Sequence, residues 1–440
     1  MNVRTLLVLV ALAVIGLAAW PRFVETRAAQ ASTPTPAPVL ADYLQRGRLV
    51  AFYEDAVRRR PDQIVTRLLA SQYLQRFRER GDVGDLWRGE RAAQRSLAIQ
   101  PRFNAGAELV LASSLVSLHR FRDGLVHAKR ALRIEPANTA AVAHVAGALV
   151  ELGRYDDANR LLRSVHAGHE VDAGLYPALA RYDELTGNVA TARDLIDLAL
   201  AQTDSIIDSS AESRAWFHFR AGELAWTAGD GATAERRFRE ALEIVPDYPR
   251  ALNGLARMYW GERRWGDALA AATPAAELVP LPETLGYKAD AQRALGDAGG
   301  ARSTEDLIAA IARIGNARAL DDRALALYWS DHDQRPAEAV AIARRDVAAR
   351  DDVFAEDTLA WALARTGRWT EAREAAHKAV RRNTQDARLQ YHAGVIAMET
   401  GDPVEAARRL KLALALNPQF HPDGADDARK RLRRLAGEAS

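Results

Sequence analysis

The chain has 440 residues, 48% of them apolar and 27% charged, with a formal charge of +2 and no cysteine. Such ordinary globular usage argues for a folded chain, and the missing cysteine excludes disulfides, thiol nucleophiles, thiolate metal sites and a lipid-modified cysteine anchor. Residues 1–31 hold Arg4, Arg22 and Arg27 against Glu25, so the remainder is neutral and no nucleic-acid partner is expected.

A basic start, Met1 to Arg4, precedes the apolar run Thr5–Trp20, the pattern of an export signal. Ala29-Gln30-Ala31 supplies small residues at cleavage offsets. The alternative is an uncleaved N-terminal membrane anchor, somewhat short of the ~20 residues that a full span takes. Either way Arg4 on the N-terminal side places the rest outside the cytoplasm, periplasmic or extracellular. The Pro/Thr-rich stretch 32–40 reads as an extended linker.

Helical patterning begins at Ala41, and residues 41–61 look like half of a helix pair or an opening cap. Residues 64–101 form an oversized pair around Gly81-Asp82, with the boundary near Val83–Trp87 open. Residues 105–136 make a cleaner pair through Phe121, Gly124, Ala131 and Pro136. The next, 139–168, carries Gly153, Tyr155 and Ala158. In 173–200, Gly187 and Ala192 follow their counterparts by 34 residues; Pro177 there implies a late helix start. Gln202 to Ser213 reads as a polar insert.

The strongest signal lies at 215–280, where Ala234, Ala241 and Pro246 recur as Ala268, Ala275 and Pro280, each 34 residues later. Further copies are read at 282–308, in a degenerate form at 320–350, and in two clear pairs, where Gly367, Ala372 and Ala379 return as Gly401, Ala406 and Ala413. A 34-residue period with small residues at helix crossings resembles the tetratricopeptide-repeat (TPR) family, and the chain resembles its exported bacterial-type members. The resemblance implies an all-α, right-handed superhelical solenoid of tandem helix pairs, about nine and a half repeats long. Its expected segments are a signal or anchor at 1–31, the linker at 32–40, a cap and divergent pair at 41–101, arrays at 105–308 and 320–418, and a closing helix and tail at 422–440. Asp426–Leu435 has acids first and bases last, as a helix dipole favours, and such a helix would hide the last apolar face of the stack.

The resemblance also implies a concave groove lined by the first helix of each pair. The positions it assigns to the groove are Trp216, Phe219, Glu223, Trp226, Arg250, Asn253, Arg257, Trp260, Asp290 and Arg293. A second candidate surface holds Phe354, Asp357, Trp361, Arg365, Arg388 and Tyr391. Aromatics beside arginines suit a peptide, since guanidinium groups bond carboxylates or carbonyls while indoles cover apolar side chains; packing between repeats is the alternative for the tryptophans. Residues 105–200, poorer in aromatics at groove positions and including Arg181, read as scaffold or as contacting a different part of a partner.

No nucleophile elbow, phosphate loop or dinucleotide fingerprint is present. His166 and His169 near Glu170 lack the spacing of a helical metal pair, and His332 and His421 beside aspartates make at best weak ligands. The expectation is therefore a non-enzymatic scaffold with no cofactor or metal, binding a peptide or helical segment of a protein client; possible membrane attachment lies in residues 5–20. The alternative is a membrane-tethered assembly factor or accessory subunit of an envelope enzyme or transporter.

Overall fold

The computed structural model describes residues 42–166, 173–205, 209–317 and 323–438. The expected export segment and linker lie outside them. Among the described residues there are twenty-two α-helices, one 3₁₀ turn and no strand. The long leading helices are Asp42–Arg59, Gln63–Arg80 and Val83–Ile99, followed by the pairs Ala105–Ser117 with Phe121–Ile134 and Thr139–Glu151 with Tyr155–His166. Helix Val83–Ile99 starts directly after Gly81-Asp82, which resolves the open boundary: Gly81 ends the preceding helix in a left-handed conformation, and Asp82 caps the next by accepting the Gly84 N–H.

Prolines and acids set the helix limits elsewhere. Pro61, Pro101, Pro136, Pro246, Pro280 and Pro418 each stand two residues past a helix end, where a ring that cannot continue the hydrogen-bond ladder stops it. Asp62, Asp230, Asp352, Asp386 and Asp402 cap starts through their carboxylates, each satisfying N–H groups that a helix leaves open. Pro177 falls in the first turn of Tyr176–Leu185, as anticipated. The expected polar insert at 202–213 is mostly helix instead: Val189–Ser205 runs into it and Ala211–Thr227 begins inside it. Thr203 turns inward and returns its hydroxyl to the Ala199 carbonyl at 2.8 Å, so polarity there marks a bonded helix face.

Contacts divide the chain into two compact units. One comprises residues 42–148, 159–178 and 198–217. Its core gathers Val50, Tyr53, Val57, Leu69, Leu74, Leu86, Leu111 and Leu115. Beside it lies a buried polar cluster in which Arg46 bonds Glu79 (Nη2 to Oε1 2.9 Å), Gln72 (2.7 Å) and Asp42 (2.6 Å).

The other unit comprises residues 149–158, 179–197 and 218–438. Small residues let its helices approach closely. The Phe238 ring is fully buried between Gly222 and Gly254, where an added Cβ would stand 2.7 and 2.6 Å from the ring. A second core runs through Leu325, Trp329, Ala343, Trp361, Tyr391, Leu410 and Phe420 and takes in Ala425 and Ala428 of the closing helix Pro422–Glu438.

Residues distant in sequence also meet within this unit at a near-constant offset. The Tyr155 hydroxyl accepts from the Val353 N–H, Thr384 donates to the Leu185 carbonyl, and Asn417 donates to the Trp226 carbonyl, across 198, 199 and 191 residues. Each of these bonds joins positions just under six periods apart. Gly153 marks one such approach: its φ is +73°, and a Cβ there would lie 1.8 Å from the Asp351 carbonyl oxygen.

Candidate functional site

First helices of successive pairs carry an arginine three residues before a glutamate, as Arg181-Tyr-Asp-Glu184 and Arg220-Ala-Gly-Glu223. On a helix this spacing puts both charges on one face, and the repeat period brings each pair to its neighbour. Arg181 bonds Glu151 (3.3 Å) and Glu184 (2.9 Å); Arg220 reaches back to Glu184 (2.9 Å); Arg257 reaches back to Glu223 (2.8 Å). The result in the second unit is an alternating ladder in two bonded stretches, Glu151–Arg181–Glu184–Arg220 and Glu223–Arg257. Its side chains keep 12 to 27% of their surface exposed.

Burial alone would raise the Glu184 carboxyl, yet Arg220 and Arg181 on either side hold it down at about 2. Burial likewise works against the Arg181 and Arg257 charges, and the facing glutamates raise both. Glu184, Arg181 and Arg257 therefore stay ionised at neutral pH. A guanidinium has five N–H groups, and the Nε of Arg257 is buried without a partner.

A second cluster in the same unit alternates aspartates with rings. Asp290 accepts from Trp260 Nε1 (2.9 Å) and lies 2.8 Å from His332 Nε2. Asp331 accepts from Trp361 Nε1 (2.9 Å) and from Arg388, with His421 Nε2 at 3.8 Å. Against the cost of burial, Arg388 above all holds the Asp331 carboxyl far below the usual carboxylate range. His392 stacks on Trp361 at 4.2 Å and faces Asp357 at 3.1 Å. Asp290 raises His332 although burial opposes the charged imidazole.

Of the groove positions inferred from the repeat, the three tryptophans take the packing alternative. Trp216, Trp226 and Trp260 are 4, 5 and 6% exposed, so they pack rather than present free faces. Trp216 meets the edge of Phe217 and belongs to the first unit. Phe219 packs on Phe238 and Tyr248. Glu223 and Arg257 are ladder partners, Arg250 is half-buried, and Asn253 accepts from Thr284 at 2.7 Å. Arg293 bonds Asp290 at 3.0 Å and also Glu305.

On the second surface, Trp361, Asp357 and Tyr391 are buried, and Tyr391 donates to Asp427 at 3.0 Å. Arg388 is committed to Asp331, Arg365 pairs with Asp333 over the Trp361 ring, and Phe354 lies beneath the Arg181 guanidinium. Arg181, read as scaffold or as contacting a different part of a partner, is a rung of the ladder. The repeated Arg-x-x-Glu was the signal that could have found it.

Among the described residues no group of three or more His, Asp or Glu side chains is arranged to hold a metal ion. The His166 side chain, His169 and Glu170 lie outside the described set. No described helix is long and apolar enough to cross a membrane.

A family model described as tetratricopeptide repeat matches residues 219–281 and 358–419. The cellulose synthase operon protein C of Pseudomonas fluorescens (strain SBW25) is 29% identical over 130 residues, which is 30% of this chain. The match spans about a tenth of that relative's length. Among solved structures, yeast Tom70 aligns over 90% of this chain and 96% of its own at 12% identity, with a TM-score of 0.35. The APC/C hetero-tetramer Cut9–Hcn1 aligns over 90% and 94% at 13% identity, with a TM-score of 0.32.

Proposed function

This chain is a tetratricopeptide-repeat protein, and from that premise we propose that it is an exported, non-enzymatic scaffold that holds a protein client along the Arg/Glu ladder of its second unit. The ladder is the observation that carries this reading. An extended peptide presents N–H and C=O groups in alternation, and a wall of alternating carboxylates and guanidinium groups offers an acceptor for the one and a donor for the other. Hydrogen bonds to charged groups contribute about 1.5–3 kcal/mol each when well made. A rigid stack adds little ordering cost on the scaffold side. The aromatic contribution expected from the tryptophans is smaller than their number suggests, since those rings already fill the interior.

Exchanging one rung tests the reading. Glu223→Arg with Arg257→Glu keeps an ion pair and reverses its direction, so the melting temperature is expected to stay within a few degrees while client capture from envelope extract is lost. Capture of the same proteins by the exchanged variant would move recognition off the ladder. Export is tested separately by fractionation and sequencing of the mature N-terminus: envelope recovery supports it, and cytoplasmic recovery refutes it.

A second reading, a membrane-tethered accessory subunit of an envelope enzyme, has one observation in its favour, the similarity to a relative whose name ties it to a cellulose synthase operon. Retention of residues 5–20 in the mature, membrane-bound protein favours this reading.

A further inference from the structure

The first unit carries an excess of positive charge that the neutral total hides. Residues 42–148 hold eighteen Lys or Arg against eleven Asp or Glu. On helix Val83–Ile99 both acids, Asp85 and Glu90, are buried, whereas Arg91 and Arg95, one turn apart, face solvent. On helix Phe121–Ile134 the one acid, Asp123, pairs with Arg120, while Lys129, Arg130 and Arg133 face solvent. None of these five exposed cations, nor Arg102 in the loop after the first of the two helices, has an ion-pair partner. The helices are neighbours: Arg120, at the start of the second, donates to Glu90 of the first at 2.7 Å. In the other unit the outward charges of a comparable helix, Gly231–Ile244, satisfy each other, Arg239 bonding Glu235 at 2.6 Å and Arg236 bonding Glu240 at 2.7 Å.

Beside these cations stands a ring that the fold does not use. Phe103 is 85% exposed and its φ is +57°, a left-handed backbone that bulky L residues avoid. Buried Asn104 anchors the turn, donating from Nδ2 to the Ser96 hydroxyl at 3.1 Å, and Gln100 donates to the Arg102 carbonyl at 2.8 Å. The loop is thus pinned to the end of Val83–Ile99 with its ring outward. Ile99 and Val126, on the two helices, are also exposed. A strained backbone that presents an aromatic ring to solvent points to a contact made outside the chain.

We propose that this face, Arg91, Arg95, Lys129 and Arg133 with Phe103 at its edge, docks the protein on an anionic lipid bilayer. The cations meet lipid phosphates while the Phe103 ring enters the boundary between headgroups and acyl chains, the combination by which peripheral segments hold to membranes. A soluble polyanion would meet the cations equally well, but it offers no apolar phase to Phe103, Ile99 and Val126. The same unit also follows the membrane-directed part of the chain: the apolar run Thr5–Trp20 ends about twenty residues before Asp42, a length of at most about 70 Å. The surface belongs to the first unit and the ladder to the second, so docking is tested apart from client binding.

Because the chain has no cysteine, a single environment-sensitive dye can be placed at position 103 through Phe103→Cys. The control is position 404, 78% exposed in the second unit, labelled through Val404→Cys. Full-length protein is mixed with vesicles of phosphatidylcholine, either alone or with phosphatidylglycerol added as the anionic lipid. Residues 5–20 are present in every arm, so they do not separate the two lipids. A blue shift is expected from position 103 with the anionic vesicles only, and none from 404. It is expected to fall at least about fivefold at about 1 M salt, where charge is screened beyond about 3 Å; this arm needs no variant to fold. The same fall is expected when Arg91→Gln, Arg95→Gln, Lys129→Gln and Arg133→Gln are combined, since each cation at an anionic surface is worth about fivefold. An unshifted dye at 103, an equal shift with phosphatidylcholine alone or at 404, or a shift that persists in high salt or in the combined variant would overturn the proposal. A shift on adding unlabelled protein without vesicles would make a second copy the occupant and overturn it as well.

Discussion

Replacing Arg46 by alanine is expected to lower the stability of the first unit by about 3–5 kcal/mol, the range seen when one partner of a buried ion pair is removed. Arg46 is 1% exposed, and it satisfies Glu79, Gln72 and Asp42 at once. Its loss leaves Gln72 Oε1 inside without its donor and Glu79 with the Gln75 amide at 3.3 Å in place of a guanidinium. Chemical denaturation of the variant measures the effect, and a cost below about 1 kcal/mol, the level of a surface pair, would contradict this assignment.

The same cluster gives the first unit an unusual pH response. Burial pushes the Glu79 carboxyl up to about 7 against the pull of Arg46, with Asp42 and Glu212 adding to the rise. Burial pushes the His144 imidazole down to about 4; its Nδ1–H donates to the Ala140 carbonyl at 2.7 Å, and its Nε2 accepts from Ser113 at 2.6 Å. For Glu79 the native state holds a proton that the unfolded chain releases, so its contribution is full below about 4.5 and lost as pH rises through about 7. For His144 the unfolded chain takes the proton, so its contribution is full above about 6.5 and lost as pH falls toward about 4.

The two slopes oppose each other in wild type. Glu79→Gln removes one, so its stability relative to wild type rises with pH across that window, at up to about 1.4 kcal/mol per unit. His144→Asn removes the other and gives a relative stability that falls with pH. Flat difference curves for both would show that neither group titrates as its surroundings imply.

Phe238→Ala is expected to cost the second unit about 3–5 kcal/mol, as removal of a fully buried aromatic ring does. The ring fills the space that Gly222 and Gly254 leave open, so the reverse change is also costly. Gly254→Ala is expected to lose about 1–3 kcal/mol by overpacking, and Phe238→Leu in the same chain recovers part of that loss. Thermal or urea unfolding of the three proteins decides it. Absence of recovery in the double variant would mean that ring and glycine do not share one contact.

These cases mark what was legible in the sequence. The 34-residue recurrence of Ala234, Ala241 and Pro246 carries the helix pairing, because small residues at a crossing and a proline after a helix are local requirements. Position within a repeat also assigns Trp260 to the first-helix face that was taken for the groove. It does not reveal that His421, 161 residues on, lies against that ring, because no repeat position fixes a contact between such distant parts of the chain. The tryptophans were therefore expected to be more open than they are. The ladder has a local signal, the three-residue spacing of Arg181 and Glu184 that recurs at Arg220 and Glu223, but which charge of the next repeat each one meets is set only by the packing of neighbouring helices.

Site-specific photocrosslinking of the captured client tests the central claim most directly. A photoreactive residue in place of Arg220, on the ladder, is compared with one in place of Arg236, whose side chain is 53% exposed and pairs only locally with Glu240. The account predicts client adducts from position 220 and none from 236. Adducts from 236 with none from 220, in proteins of equal stability, would place the client on another face and contradict it.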